Sequence, residues 1–397
     1  MKKMIYLLFI ISLSVYCGSK EATVEKIIED GVEVVLNHIE PYKIKGELSN
    51  LILEEEFVLD TEKDEMAELG ITDMRGFDVN SEGDIYLFNS PLRKGDMVYK
   101  FDREGNFIKS FLQRGQGPGE VQFPSHQRIT HQDNLPILDV RQRKLCIFDK
   151  DGELLEETRL ASDIRIAGGS KCLPLENGNY LIRKLSIDPS FENYYLVLSL
   201  YNSEFEEIKE LDKYHIPNWE KAHKVDMMFQ ISLWAVSDGN IYVGNEKKGY
   251  EIRVYDLEGN LLRKIRKEYE PVDYPEEEKK AILDEEEGTP GEQEIKKKLV
   301  FPEHYPPIQH LFLDDEGRLF VMTYEKGENP EEFMFDIFNP EGIFIGRKSL
   351  RVFITLALME PGGSTDVRVA MRNNRLYCLH EKESGFQELV VYRASWE

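Results

Sequence analysis

The chain has 397 residues, 41% of them hydrophobic, with 74 acidic against 50 basic residues and a formal charge of −24. Its apolar content, including 21 Phe and 19 Tyr, is ample for a packed core and excludes global disorder. The negative field repels a phosphate backbone at long range, which excludes non-specific nucleic-acid binding and leaves solubility as the plainest role of the acidity.

At the N-terminus Lys2 and Lys3 precede an apolar run over 4–11, followed by Ser12-Leu13-Ser14-Val15-Tyr16-Cys17. A basic flank with an apolar run of that size is a secretory signal, predicted over 1–17, and too short to span a bilayer. Cys17, placed directly after the run, resembles the acceptor cysteine of a bacterial lipoprotein signal, although Ser14 and Tyr16 depart from the usual residues before it. Lipidation of Cys17 would tether the protein to a membrane surface through two or more acyl chains. The other reading is a plain secretory signal with an incidental cysteine. Either way the chain is expected in the cell envelope, periplasmic or surface-exposed, with membrane contact only through such an anchor. The remaining Cys146, Cys172 and Cys378 are an odd, widely spaced trio in apolar strand-like contexts, which predicts buried free thiols rather than a disulfide framework.

Residues 18–48 read as a charged lead-in: a helical turn over 24–28, strand-like alternation over 32–36, and a proline-bearing connector over 37–42. The acidic run 51–59 suits an outer, partly solvated strand. From residue 76 a unit repeats. Its first half is an apolar strand, a tight polar turn and renewed alternation; its second half is an aromatic, Asp or Asn, two residues, Gly, and alternation again. The first-half turn residues are Gly83, Asn134, Gly178, Gly239, Gly317 and Asn374, which fall 44 to 78 residues apart. Second halves occur at Phe101-Asp102 with Gly105, Phe148-Asp149 with Gly152, Tyr255-Asp256 with Gly259 and Phe338-Asn339 with Gly342; at Tyr201-Asn202, Phe205 replaces the glycine. Gly and Asn accept a left-handed backbone, and Asp or Asn bonds its own backbone two residues on.

Repeats of this size, each holding about four short strands, predict propeller blades. The expected fold is all-β: one six-bladed β-propeller domain over 49–397. The sixth unit stops after its third strand, so the 51–59 strand is predicted to complete it and remove an open edge. The longest interval contains an insertion, 269–307, with proline clusters around a charged, helically spaced core. It predicts a helical excursion between blades 4 and 5, either a lid beside the channel or a solvated spacer.

Gly115-Gln116-Gly117-Pro118-Gly119-Glu120, with Phe123-Pro124, resembles the blade-linking loop of the six-bladed β-propeller lipoproteins of bacteria, relatives of NHL-repeat and TolB-like propellers. The lead-in Gly31-Val32-Glu33-Val34-Val35-Leu36-Asn37 and Pro41 is similar to that family's N-terminal segment, and the turns at Gly83 and Gly105 match its repeat. The resemblance implies the fold over 30–397. Activity it leaves open, because one architecture hosts many functions. Similar propellers include metal-bearing lactonases and lyases as well as exported scaffolds that bind peptides or glycans.

No compact metal signature occurs among the eight histidines. The glycine-rich stretch 115–119 lacks the ending of a phosphate loop, and no Gly-x-Ser-x-Gly elbow is present. Aligning the six units on their turns places Arg75, His126, Arg128, Lys171, Gln230, Gln309, His310 and Arg368 where each first strand enters the channel. In so acidic a chain, a ring of cationic and amide groups predicts a mouth that binds an anion such as a carboxylate. Ion pairing with Asp78, Asp133 or Asp366 is the plainer alternative. Trp219, Phe229, Trp234 and Tyr305 gather near the fourth blade and the insertion, where they stack on a ligand or fill core. The favoured function is a non-enzymatic binding or scaffold module for a peptide, glycan or protein partner, without cofactor. The alternative is a lactonase- or lyase-like enzyme holding a metal, calcium among them, at the channel mouth.

Overall fold

The computed structural model describes residues 24–89, 95–126, 128–166, 170–190, 193–218, 221–227, 233–237, 239–244, 248–285, 287–288, 291–352 and 369–397. Blade 1 is the antiparallel sheet Met74–Val79, Ile85–Asn89, Val98–Phe101 and Phe107–Phe111. Blade 2 is Pro124–His126, Leu135–Asp139, Lys144–Phe148 and Leu154–Arg159; blade 3 is Lys171–Pro174, Tyr180–Ile187, Asn193–Tyr201 and Glu207–Pro217. Blade 4 comprises Leu233–Ser237, Asn240–Gly244, Glu251–Asp256 and Leu261–Lys267, and blade 5 comprises His310–Leu313, Leu319–Lys326, Glu332–Phe338 and Phe344–Arg351. Blade 6 takes Val369–Arg372, Arg375–Glu381 and Gln387–Trp396 from the end of the chain and Leu51–Asp60 from its beginning. The architecture is a six-bladed β-propeller.

The closing strand runs antiparallel to Gln387–Trp396, with Leu59 opposite Leu389, Phe57 opposite Val391 and Leu51 opposite Trp396. The Ser49 and Asn50 amides both donate to the Glu397 carbonyl, at 3.0 Å each, so the last residue is stitched to the start of the closing strand. The first strands of blades 6 and 1 lie side by side, which closes the ring.

The core is not a single centre. Among the described residues the buried apolar side chains form six clusters, one at each junction between neighbouring blades. This follows from strand alternation: each sheet has two buried faces, and each face needs a neighbouring sheet. At the junction of blades 5 and 6, Phe312 stacks on Phe320 at 4.7 Å, with Phe335 edge-on at 5.8 Å. The second-half turns also serve these junctions. Gly152 has φ +79°, and a Cβ there would lie 2.5 Å from the Phe111 ring of blade 1. The glycine therefore both permits the turn and lets blade 2 approach blade 1. Cys146, Cys172 and Cys378 are buried free thiols in these slabs.

The lead-in differs from expectation. Residues 24–28 do not form a helical turn: Glu25–Glu29 is a strand, joined to Val32–Asn37 through Asp30 (φ 52°) and Gly31 (φ 82°). Two successive left-handed residues make the tight hairpin turn whose twist suits paired strands. This hairpin extends blade 4, Val32–Asn37 running parallel to Leu261–Lys267. The chain then crosses blade 5, where the Tyr42 amide donates to the Phe344 carbonyl at 2.8 Å, before becoming the closing strand of blade 6.

The insertion contains helices Glu276–Glu285 and Glu292–Lys298. Leu299–Val300 pairs in parallel with Val225–Asp226 from the connector before blade 4, and Tyr305 stacks on Tyr324 of blade 5 at 4.3 Å. Both contacts hold the excursion against the propeller. No helix among the described residues is long and apolar enough to cross a membrane.

Candidate functional site

Each blade's first strand ends in a tight turn, and all six turns surround one end of the channel. The turns are built locally by side chains that bond their own backbone. Asn80 Oδ1 accepts from the Glu82 and Asp84 amides at 3.1 and 2.7 Å, and Asp314 Oδ1 accepts from those of Glu316 and Arg318 at 3.0 and 2.8 Å. Left-handed backbone occurs at Gly83, Gly178, Gly239, Gly317 and Asn374 as the repeat predicts; in blade 2 it falls on Asp133 rather than Asn134. Burial raises the Asp314 carboxyl above its ordinary range, against the pull of the Arg318 guanidinium 2.8 Å away.

These turns enclose a cavity of about 420 Å³. Its two sides differ. Leu173, Pro174 and Leu175 of blade 3 with Val236 and Leu257 of blade 4 form an aliphatic wall. Blades 5, 6, 1 and 2 contribute the polar side, including Asp315, Arg372, Asn373, Ser81 and Asp133.

Most of the polar rim is committed to joining blades. Asp133 of blade 2 accepts from the Ser81 amide at 2.8 Å and the Ser81 hydroxyl at 2.6 Å. Asp315 of blade 5 accepts from Arg372 Nη1 and the Asn373 amide, each at 2.6 Å. On the apolar side Asn177 and Asn179 both donate to the Leu257 carbonyl, at 3.1 and 3.2 Å. Glu176 and His131 are different: both line the cavity, both are exposed, and neither makes a hydrogen bond or ion pair among the described residues.

The predicted ring of cationic and amide residues is divided by the structure. Arg75, Lys171, Gln309 and His310 lie at or beside the start of their first strands, at the end opposite the turns. Arg128 does not join them; it lines the turn-end cavity. The reason is local. The first strand of blade 2 stops at His126, and the Ile129 amide is captured by Asp78 Oδ2 at 2.6 Å, so position 128 lies close to the turn. Arg75 pairs with Asp73 at 2.9 Å, and Lys171 sits buried beside Arg183, its partner in register. Gln309 Oε1 is buried without a hydrogen-bond partner among the described residues. Asp78 and Asp133, the carboxylates offered as alternative partners, are held by backbone amides and Ser81. Cys17, Gln230, Arg368, Trp219, Phe229 and Asp366, together with the His126 side chain, lie outside the described residues. Trp234 packs on the cluster between blades 3 and 4.

Sequence reasoning aligned the units on their turns but looked to the strand starts, so it missed Glu176, Leu175, Val236 and Leu257. The available signal was the run Leu173-Pro174-Leu175-Glu176, apolar up to the turn itself.

A second enclosed feature lies under the insertion. Asp336, fully buried, accepts from Tyr250 Oη at 2.7 Å and Arg347 Nε at 2.9 Å, with Lys267 Nζ at 3.3 Å. The adjoining cavity of about 10 Å³, lined in part by Tyr305 and Pro306, has room for one water. This cluster joins blades 4 and 5 and offers no space for a ligand. Among the described residues no group of three or more His, Cys, Asp or Glu is placed to hold a metal ion.

Residues 78–230 match a protein family described as a 6-bladed beta-propeller. Among solved structures, a protein described as exported, from Bacteroides fragilis, has a TM-score of 0.50 at 13% identity, over 91% of this chain and 99% of its own. A member of the DUF4221 family from Bacteroides vulgatus has a TM-score of 0.48 at 12% identity, over 88% of this chain and 100% of its own. The first likeness shows the fold alone. No curated protein matches the chain.

Proposed function

We propose that this propeller is an exported, non-enzymatic binding module that receives part of a peptide, glycan or protein partner in the turn-end cavity. The supporting observation is the cavity itself. At about 420 Å³ it falls within the roughly 300–1,000 Å³ of ordinary ligand clefts, and it combines an aliphatic wall with a few placed polar groups. Its rim is cross-linked between blades, so the site is formed before a ligand arrives and little ordering cost opposes binding. The N-terminal run and the exported B. fragilis protein support export, and Cys17 is the proposed lipidation site. The cationic strand-start end, with Arg75 and Lys171, is a second proposed contact, for an anionic group of the partner.

Native mass spectrometry after incubation with a mixed tripeptide pool and a mixed oligosaccharide pool tests the reading. The wild type retains members of one pool, and a Val236→Trp variant with unchanged melting, its cavity filled, retains none. Failure of the wild type to retain either, or equal retention by both proteins, overturns it. Stoichiometric calcium or zinc in purified protein would instead support the enzyme reading. Labelling with radioactive palmitate, abolished by Cys17→Ala, checks the anchor.

A further inference from the structure

We infer that the ligand of the turn-end cavity is a cationic amphipath, a primary ammonium next to aliphatic groups, with the ammonium seated on Glu176 and the aliphatic groups on the wall beside it. The inference deepens the binding role proposed above and rests on it.

The first argument is the state of the acidic groups. Among the described residues three carboxylates line the cavity: Asp133, Glu176 and Asp315. Both oxygens of Asp133 are occupied by Ser81, and both of Asp315 by Arg372 and Asn373. Their charge is spent on holding blades together. Glu176 alone of the three keeps both oxygens unbonded among the described residues. A carboxylate in that state is a ready acceptor for a charged N–H donor, the stronger class of hydrogen bond.

The second argument is position. Glu176 follows Leu173, Pro174 and Leu175 without a break, so the free carboxylate stands at the edge of the aliphatic wall. Its turn is rigid: the Leu175 amide donates to the Asn179 carbonyl at 2.8 Å, and Asn177 and Asn179 are tied to Leu257. A ligand satisfying both features must carry a cation within one residue's reach of aliphatic carbon.

The third argument concerns the lining as a whole. None of the described lining residues is Phe, Tyr or Trp, and the small imidazole of His131 is the one ring among them, so the broad apolar platform on which a sugar stacks is lacking there. That narrows the partner from peptide or glycan to peptide chemistry. The protein's charge of −24 draws cations toward the mouth and repels anions.

An ammonium beside aliphatic carbon occurs at a peptide's amino terminus and, on a longer stem, in a lysine flanked by aliphatic residues. Calorimetry with three amidated tripeptides separates these sources: Leu-Val-Leu with a free amino terminus, its N-acetylated form, and N-acetylated Leu-Lys-Leu. Binding of the free form at least about tenfold tighter than its acetylated form assigns the amino terminus. Recovery of that affinity by acetylated Leu-Lys-Leu assigns lysine. In either case Glu176→Gln, exposed and expected to melt normally, abolishes the preference, and added salt weakens it. Equal binding of all three peptides, blocked by Val236→Trp, overturns the ammonium assignment and leaves the binding role standing. A preference that survives in Glu176→Gln overturns the assignment to Glu176. No binding of any tripeptide, with oligosaccharides retained from the pool, overturns the inference alone, whereas empty pools overturn the binding role with it.

Discussion

The outer strand of blade 4 is paired by the hairpin Glu25–Glu29 and Val32–Asn37, that of blade 5 is crossed by the chain that follows, and that of blade 6 is Leu51–Asp60 itself. In blades 1, 2 and 3 the outer strands end their sheets, with no further strand paired to them among the described residues. One repeated sequence position reports the difference. The third residue after the second-turn glycine, or its Phe205 equivalent, is apolar in five blades. Ile108, Leu155 and Ile208 of blades 1 to 3 are 47%, 57% and 45% exposed. Ile345 of blade 5 is 2% exposed, packed in the cluster that contains Leu51 and contacts Ile44. Blade 4 is intermediate in a telling way: its hairpin pairs only from Arg263 onward, and Leu262 stays 48% exposed. The repeat thus specifies a blade, while the overlying chain decides whether its rim is core or surface. Gly346 shows how close that overlay is, since a Cβ there would lie 2.5 Å from the Ser49 carbonyl.

The largest expected effect tests this contrast directly. Ile345→Ala should cost about 2–5 kcal/mol through lost burial and a cavity, whereas Leu155→Ala should stay within about 0.5 kcal/mol. Urea unfolding of both variants measures the difference, and similar costs would break the comparison.

Next comes His380, buried in blade 6 with Nε2 3.0 Å from the Arg351 carbonyl of blade 5. Burial lowers its imidazolium from 6.5 to about 4. The unfolded chain therefore takes up this proton below pH 6.5 while the folded chain resists until about pH 4, so stability falls as pH drops through that window. The loss should be about 3 kcal/mol at its limit. The wild type should show this extra loss and His380→Gln should lack it, measured by urea midpoints at pH 7 and 4.5.

In the uncovered half the corresponding device is close packing between blades. Gly152→Ala and Gly178→Ala share a left-handed backbone, at φ +79° and +83°, but only Gly152 faces a ring, and nothing lies within 4 Å of a Cβ at Gly178. Gly152→Ala should cost about 1–3 kcal/mol more, read from the shift in melting between the two variants.

The smallest effect concerns the hairpin's ionic hold. Arg266 and Lys264 contact the Glu29 carboxylate at 2.6 and 3.2 Å, and hydrogen bonding to Arg266 holds its carboxyl down at about 2. With the folded value depressed, the contribution is complete above pH 4.5 and is lost as pH falls toward 2. Hydrogen-exchange protection of residues 25–37, corrected for intrinsic rates, should decline over that range in the wild type and more weakly in Glu29→Gln. Added salt should act in the same direction at neutral pH, because the pairs are partly solvated.

Blade number, ring closure and insertion were legible because their signals are local. Asp or Asn followed by Gly makes a turn from its own side-chain bonds, so counting turns counts blades. A unit short of one strand beside a spare acidic strand then leaves closure as the way to avoid an open edge. The hairpin was not read: Asp30-Gly31 could have signalled its turn, but the short run Glu25–Glu29 reads equally as helix or strand until its pairing is known. Its partner by way of Val32–Asn37 is Leu261–Lys267, more than 200 residues away. The predicted ring was set at the strand starts whereas the cavity lies at the turn end, for a related reason. Alternation shows that a strand crosses the channel without showing where six strands diverge enough to leave space, and a three-residue strand in blade 2 carried Arg128 to the opposite end from Arg75.

The amino-acid order alone therefore determined the repeat, its count and the chemistry of every turn, since those interactions span only a few residues. Tertiary structure decided which rims are buried, which carboxylates are consumed in joining blades, and that Glu176 is left free beside an aliphatic wall. These outcomes depend on distances between residues far apart in the chain, which arise only once the ring has closed.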